Sequence, residues 1–133
     1  MDKLRYYRLS GEEKRIVLEK IRRVLLSEGV RLGIVFGSFV DMDCFRDIDI
    51  AIYINGREEL DKILGIGVRL EEELGIPVDI VPLQSVSPTF RLKILRDGII
   101  VVEEPGIFEA LLQQALDELT IMKFEEISLK EHG

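Results

Sequence analysis

The chain has 133 residues, 47% hydrophobic and 32% charged, with a net charge of −7. This balance excludes a disordered chain, and the acidic surplus excludes a broad phosphate-neutralising face for DNA or RNA. Cys44 and His132 are the only residues of their kinds, which excludes an internal disulfide and a self-contained His/Cys zinc cage.

No apolar run approaches the roughly 18 residues needed to cross a bilayer. The start, Met1-Asp2-Lys3-Leu4-Arg5, has no apolar signal core behind it, so a cytoplasmic chain is expected. The length suits a single domain over 1–133, with a core at about 29–104 between an N-terminal helix at about 11–28 and a C-terminal helix at about 107–127.

In chain order, Ser10-Gly11-Glu12-Glu13 reads as a capping box opening the first helix. Ile16, Val17, Ile21, Val24 and Leu25 form its apolar stripe, and Gly29 stops it. Residues 31–36 form a short apolar strand ending at Gly37-Ser38, and 39–46 a short helix or loop. Over 47–54 the alternation is strict: Ile48, Ile50, Ile52 and Ile54 share one face, and Asp47, Asp49, Ala51 and Tyr53 the other. Asn55-Gly56 turns into a helix over 57–74, with Leu60, Ile63, Leu64 and Leu70 inward and two weakening glycines, Gly65 and Gly67. A third strand follows at 78–83. Ser87-Pro88 caps and opens a short helix to 96, Asp97-Gly98 turns into a strand over 99–103, and Pro105-Gly106 precedes the last helix. The fold class is α/β (α+β): helices alternating with strands, giving a small mixed sheet flanked by helices.

Asp47, Asp49 and Asp79 each interrupt a run that otherwise reads as buried strand. A buried carboxylate is costly unless paired or holding a metal. Asp47 and Asp49, two apart on a strand, leave the same face. Mg²⁺ takes oxygen ligands, typically a few carboxylates together with substrate phosphates, and Asp79 on a neighbouring strand could complete the set. Gly37 permits a tight turn and close backbone approach, while Ser38 adds a hydroxyl. Together these features describe a site for Mg²⁺ and a nucleoside triphosphate.

Phe36-Gly37-Ser38, then Asp47-Ile48-Asp49-Ile50, then Val78-Asp79-Ile80-Val81, resembles the minimal nucleotidyltransferase family of the polymerase-beta-like superfamily. The resemblance covers about 29–103 and extends to the helix and final strand around Arg91 to Val101. It implies a nucleotidyltransferase fold and transfer of a nucleoside monophosphate, AMP from ATP foremost, to a hydroxyl. In that reading Gly37 and Ser38 hold the triphosphate, Asp47 and Asp49 bind Mg²⁺, and Asp79 binds the catalytic ion and takes the acceptor's proton. Many such proteins are antitoxins paired with a HEPN-domain toxin, so a HEPN partner is a further implication. The eight-residue spacer 39–46 carries Asp41 and Asp43 where relatives often have Arg or Lys. The alternative is a non-catalytic binding module that neutralises a partner by contact; a phosphohydrolase using the same acids fits the Gly-Ser turn less well.

Among the remaining residues, Cys44 is expected to pack, Arg46 to touch a phosphate or pair with an acid, and His132 to lie in an unstructured tail. Tyr6 and Tyr7 are expected at the surface or in packing, with self-modification the less favoured role. Phe108, Leu111, Leu112, Ala115, Leu116, Leu119, Met122 and Phe124 make a wide apolar band on the last helix, expected to add to a homo-oligomer or partner interface.

Overall fold

The computed structural model describes residues 5–57 and 60–132. Its elements are β1 (Tyr7–Arg8), α1 (Gly11–Ser27), β2 (Leu32–Phe36), α2 (Ser38–Asp41), β3 (Cys44–Phe45), β4 (Ile48–Tyr53), α3 (Leu60–Leu74), β5 (Val78–Pro82), α4 (Pro88–Asp97), β6 (Ile99–Glu103) and α5 (Ile107–His132).

The capping box forms as expected. Ser10 Oγ accepts from the Glu13 amide at 3.1 Å, and the Glu13 carboxylate accepts from the Ser10 amide at 2.8 Å. Ser87 likewise caps α4 by accepting from Phe90 N at 3.2 Å.

Four strands make one sheet in the order β5-β4-β2-β6. β2 runs antiparallel to both β4 and β6, while β4 and β5 are parallel. Gly33 pairs with Val102 and Ile34 with Ile100, so Val101 is an unopposed extra residue, a bulge in the edge strand β6.

The alternation read from β4 divides the core in two. Ile48, Ile50 and Ile52 pack with Ile21, Val24 and Leu25 of α1 and with Ile63, Ile66 and Leu70 of α3. On the other face Ala51, Leu32 and Ile34 pack with Ile94 and Leu95 of α4 and Leu111 of α5. The sheet is therefore sandwiched between two helical layers.

Several expectations are corrected. Residues β1 and β3 form a two-stranded antiparallel ribbon that the periodicity did not signal, since two-residue strands carry no alternation. Leu60 is 68% exposed and Leu64 58%, because α3 turns Ile63, Ile66 and Leu70 inward instead. Ile16 also faces outward. Gly65 and Gly67, read as weakening the helix, lie within an unbroken α3. The start of the helix expected at 57 falls partly on residues 58 and 59, outside the described residues. The last helix runs on to His132, so the expected unstructured tail is helical.

Candidate active site

β4 and β5 begin at the same end of the sheet, where β2 finishes. In register, Asp79 of β5 lies beside Asp49 of β4, which lies opposite Phe36 of β2. Paired residues project to the same face, here the face covered by α4 and α5. Those helices bury Ala51 completely but leave Asp47 and Asp49 half-buried at the open end of the sheet. Asp79 is exposed. Burial of all three acids was the expectation; β5 is an edge strand and Asp79 lies on its open rim, which explains the difference.

Gly37 follows Phe36 directly, with φ +80°. A Cβ built there would collide with Asp49 Oδ2 and lie 3.2 Å from Asp49 Cγ. The Gly37 carbonyl then accepts from Val40 N at 3.0 Å and Asp41 N at 3.1 Å, starting the single turn of α2 at Ser38. The structure thus brings Gly37, Ser38, Asp47, Asp49 and Asp79 to one end of one face.

The three acids crowd negative charge. The Asp49 carboxyl is pushed up to about 6, first by its burial and then by the charges of Asp47 and Asp79. No described Lys or Arg forms an ion pair with any of the three. This uncompensated charge fits a cation. Among the described residues no three His, Cys, Asp or Glu side chains gather closely enough to hold a metal ion, so the three carboxylates expected as one ligand set are not drawn together as such here. An ion here would share its coordination with a substrate, as Mg²⁺ commonly does with phosphates.

Lys14 and the role of Arg91 escaped the sequence reading, whereas Tyr7 takes the packing role expected of it. Lys14 of α1 donates to the Phe39 carbonyl at 2.7 Å and the Met42 carbonyl at 3.1 Å, holding α2 from the far side. Tyr7 stacks on Phe45 with centroids 5.8 Å apart, so the β1–β3 ribbon anchors the segment just before Asp47. Arg91, 2% exposed, donates to the Leu83, Val86 and Gln84 carbonyls at 2.8, 3.0 and 3.3 Å and pairs with Glu118 at 3.2 Å. No local motif marks Lys14 or Arg91; Lys14 acts across a gap that only the fold closes, and Arg91 gathers the carbonyls of the connection just before it.

The other singled-out side chains settle as follows. Asp41 and Asp43 are exposed. Cys44 is half-buried, and its Sγ accepts from Arg8 at 3.1 Å. The Arg46 guanidinium lies over the Tyr6 ring, 5.8 Å from its centroid.

A sheet carrying paired acids beside a glycine turn is the arrangement of nucleotidyl-transferring proteins, and comparison bears this out. The family model described as polymerase beta nucleotidyltransferase matches residues 19–105, and the chain belongs to that family. A Methanocaldococcus jannaschii protein assigned as a protein adenylyltransferase is 30% identical over 88 residues, covering 65% of this chain and 95% of that protein. Two crystallised toxin–antitoxin assemblies share the fold. A mutant MntA–HpeT pair aligns with TM-score 0.71 and 18% identity, over 86% of this chain and 96% of the other. A complex of a tri-AMPylated Shewanella oneidensis HEPN toxin with its MNT antitoxin aligns with TM-score 0.70 and 19% identity, over 90% and 97%. The chain is thus a nucleotidyltransferase, with the mixed sheet and flanking helices expected of one. No helix among the described residues is long and apolar enough to cross a membrane.

Proposed function

We propose that residues 1–133 act as one domain that transfers AMP from ATP to a hydroxyl of a partner protein, as an antitoxin modifying a HEPN-domain toxin. The observation that carries this reading is the packing of Gly37 against Asp49, which is itself aligned with Asp79. It is supported by the adenylyltransferase relative and by the shared fold of the AMPylated toxin's antitoxin.

In this reading Asp47, Asp49 and Asp79 hold Mg²⁺, and Gly37 and Ser38 hold the β- and γ-phosphates. Bound Mg²⁺ supplies positive charge against the phosphates and the developing leaving group. Asp79, the most open of the acids, accepts the proton of the incoming hydroxyl. That oxygen forms a bond to the α-phosphorus, the bond to the bridging oxygen breaks, and pyrophosphate leaves with the electron pair. The protein's part is positioning and charge, which phosphoryl transfer chiefly requires.

The partner surface we assign to α5. Leu111 and Ala115 are buried in the core, whereas Ile121, Met122, Phe124, Ile127 and Leu129 are all exposed. This outer half is available to a HEPN protein or to a second copy. A binding module working by contact alone would use the same helix and would not need the acids.

The deciding experiment is label transfer from ATP carrying radioactive α-phosphate, with Mg²⁺ and the co-expressed partner. Label on the partner with the native chain and none with Asp47→Asn is expected. Partner neutralisation that persists unlabelled with Asp47→Asn would establish contact alone.

A further inference from the structure

A groove follows the outer border of the sheet on the side covered by α1. Its wider part, about 620 Å³, lies between Ile16 and Arg22 of α1 and Ile99 and Ile100 of β6. A second hollow of about 330 Å³ shares Arg22 and Val101 with it and carries it on to Leu26. The candidate site lies on the opposite face, under α4 and α5, so the groove is no part of it. We propose that this groove receives the outer half of α5 from a second copy of the chain. The inference rests on the reading of that half as an interface, and commits it to a like chain.

Shape is the first argument. Ile16, Leu26, Ile99 and Ile100 are all exposed, an apolar strip of the kind that marks an interaction surface. From Arg15 to Leu26 the groove runs about 16 Å, at about 1.5 Å per helical residue. On the same measure Ile121 to Leu129 span about 12 Å of α5, which fits within that length. Ile121, Phe124 and Ile127 follow at three-residue steps, which places them on one side of the helix. All three are exposed in the single chain.

Charge is the second. Residues 15–23 carry Arg15, Lys20, Arg22 and Arg23 against the single Glu19, in a chain whose net charge is −7. Residues 117–131 carry five acids against two lysines. The helix that walls the groove is thus a basic stretch of an acidic protein, and the end of α5 is an acidic one. Surfaces of opposite sign steer one another and fix orientation, whereas α5 against α5 would set acid against acid. Arg15 and Arg22 are held only by exposed pairs with Glu12 and Glu19, at 2.6 and 3.5 Å. Such pairs are worth little, so both guanidinium groups can turn to an incoming carboxylate. Each copy carries both groove and helix, so a two-fold pair makes the contact twice and closes.

The test is sedimentation equilibrium of the full chain, native and in two variants at exposed positions. The native chain is expected to show the mass of two chains. Ile16→Glu puts an acid in the groove and Phe124→Glu puts one on the helix. Each is expected to raise the dissociation constant of the pair about tenfold or more. Mixed in equal amounts, the two variants are expected to recover association, because the groove of one and the helix of the other are both native. Silence of Ile16→Glu, or no recovery on mixing, overturns the groove assignment and leaves α5 as an interface. A native chain that stays single at millimolar concentration overturns the inference; the reading of α5 then stands only if Phe124→Glu releases the co-expressed HEPN partner. Silence of Phe124→Glu in both mass and partner binding overturns both. Thermal unfolding of each variant confirms that it is folded.

Discussion

Gly37 and Asp49 are packed so closely that no side chain can stand between them. A methyl group at residue 37 would occupy the place of Asp49 Oδ2. The turn that begins α2 and the carboxylate on β4 are therefore one geometric unit, and neither can shift alone.

Gly37→Ala is expected to cost more in activity than in stability. At φ +80° and ψ −156° the backbone lies in a region essentially confined to glycine, which costs any L side chain about 1–3 kcal/mol. Asp49 must also swing aside, and misplacing a reacting group by about 1 Å can cost on the order of 100-fold in rate. A melting temperature lowered by a few degrees, with transfer down about 100-fold, is the expected pair of readings. Native transfer rates in this variant would show that the turn has slack.

Asp49 makes the metal-free protein pH-sensitive. Its carboxyl titrates near 6 in the folded chain against an ordinary value of 3.8. The folded state therefore holds the proton more tightly than the unfolded one. Stability from this group is present below about pH 4 and is lost as pH rises through about 6. Solvent reaching the carboxylate reduces the size of the effect below that of a fully buried group. Thermal unfolding in chelator should show Asp49→Asn gaining on the native chain as pH passes from 4 to 7. Added Mg²⁺ should stabilise the native chain more at pH 7.5 than at pH 5. A native-to-Asn difference that stays flat with pH would contradict this assignment.

Much of this architecture was legible in the sequence. The isoleucine alternation of β4 foretold which residues share each face of the sheet, because a period of two must place alternate residues on opposite faces. The Ser10 and Ser87 caps were readable because capping uses residues three apart. The grouping of the candidate residues was readable for the same local reason: Gly37 and Ser38 are adjacent, and Asp47 and Asp49 are two apart. Exposure was not. Asp79 sits in an apolar run that looks buried, and only the strand order makes β5 an edge. Lys14 was missed because its contacts join α1 to the distant α2 turn, and Arg91 because its nearby carbonyls converge on it only once the β5–α4 connection folds around it.

Arg91 supplies a stability test away from the acids. It is almost fully buried and satisfies three carbonyls of the β5–α4 connection while bridging to α5. Arg91→Ala leaves those carbonyls without their donor and is expected to cost about 3–5 kcal/mol. Glu118→Gln retains an acceptor and is expected to cost about 1 kcal/mol. Denaturant unfolding of the two variants checks this, and equal midpoints would place the interaction energy in Glu118 alone.

The point at which α5 is cut determines what a truncation reports. Cutting after Pro105 removes Leu111 and Ala115 from the core and Glu118 from Arg91, so it tests folding. Cutting after Thr120 removes only residues whose described side chains are exposed. That shorter chain is expected to melt within about 3 °C of the full one and to lose partner binding or oligomer mass by light scattering. Unchanged binding would move the interface elsewhere.

The bulge at Val101 has a meaning beyond its own strand. A strand added outside β6 would meet a row of backbone groups that is out of step. At the opposite border, the Val78 amide is already taken by Glu71 at 3.0 Å, and Pro82 has no amide to give. Both margins of the sheet are thus blunted against growth by backbone pairing. A chain so guarded is protected from fibre-like stacking, and whatever company it keeps must be chosen by side chains on its helices.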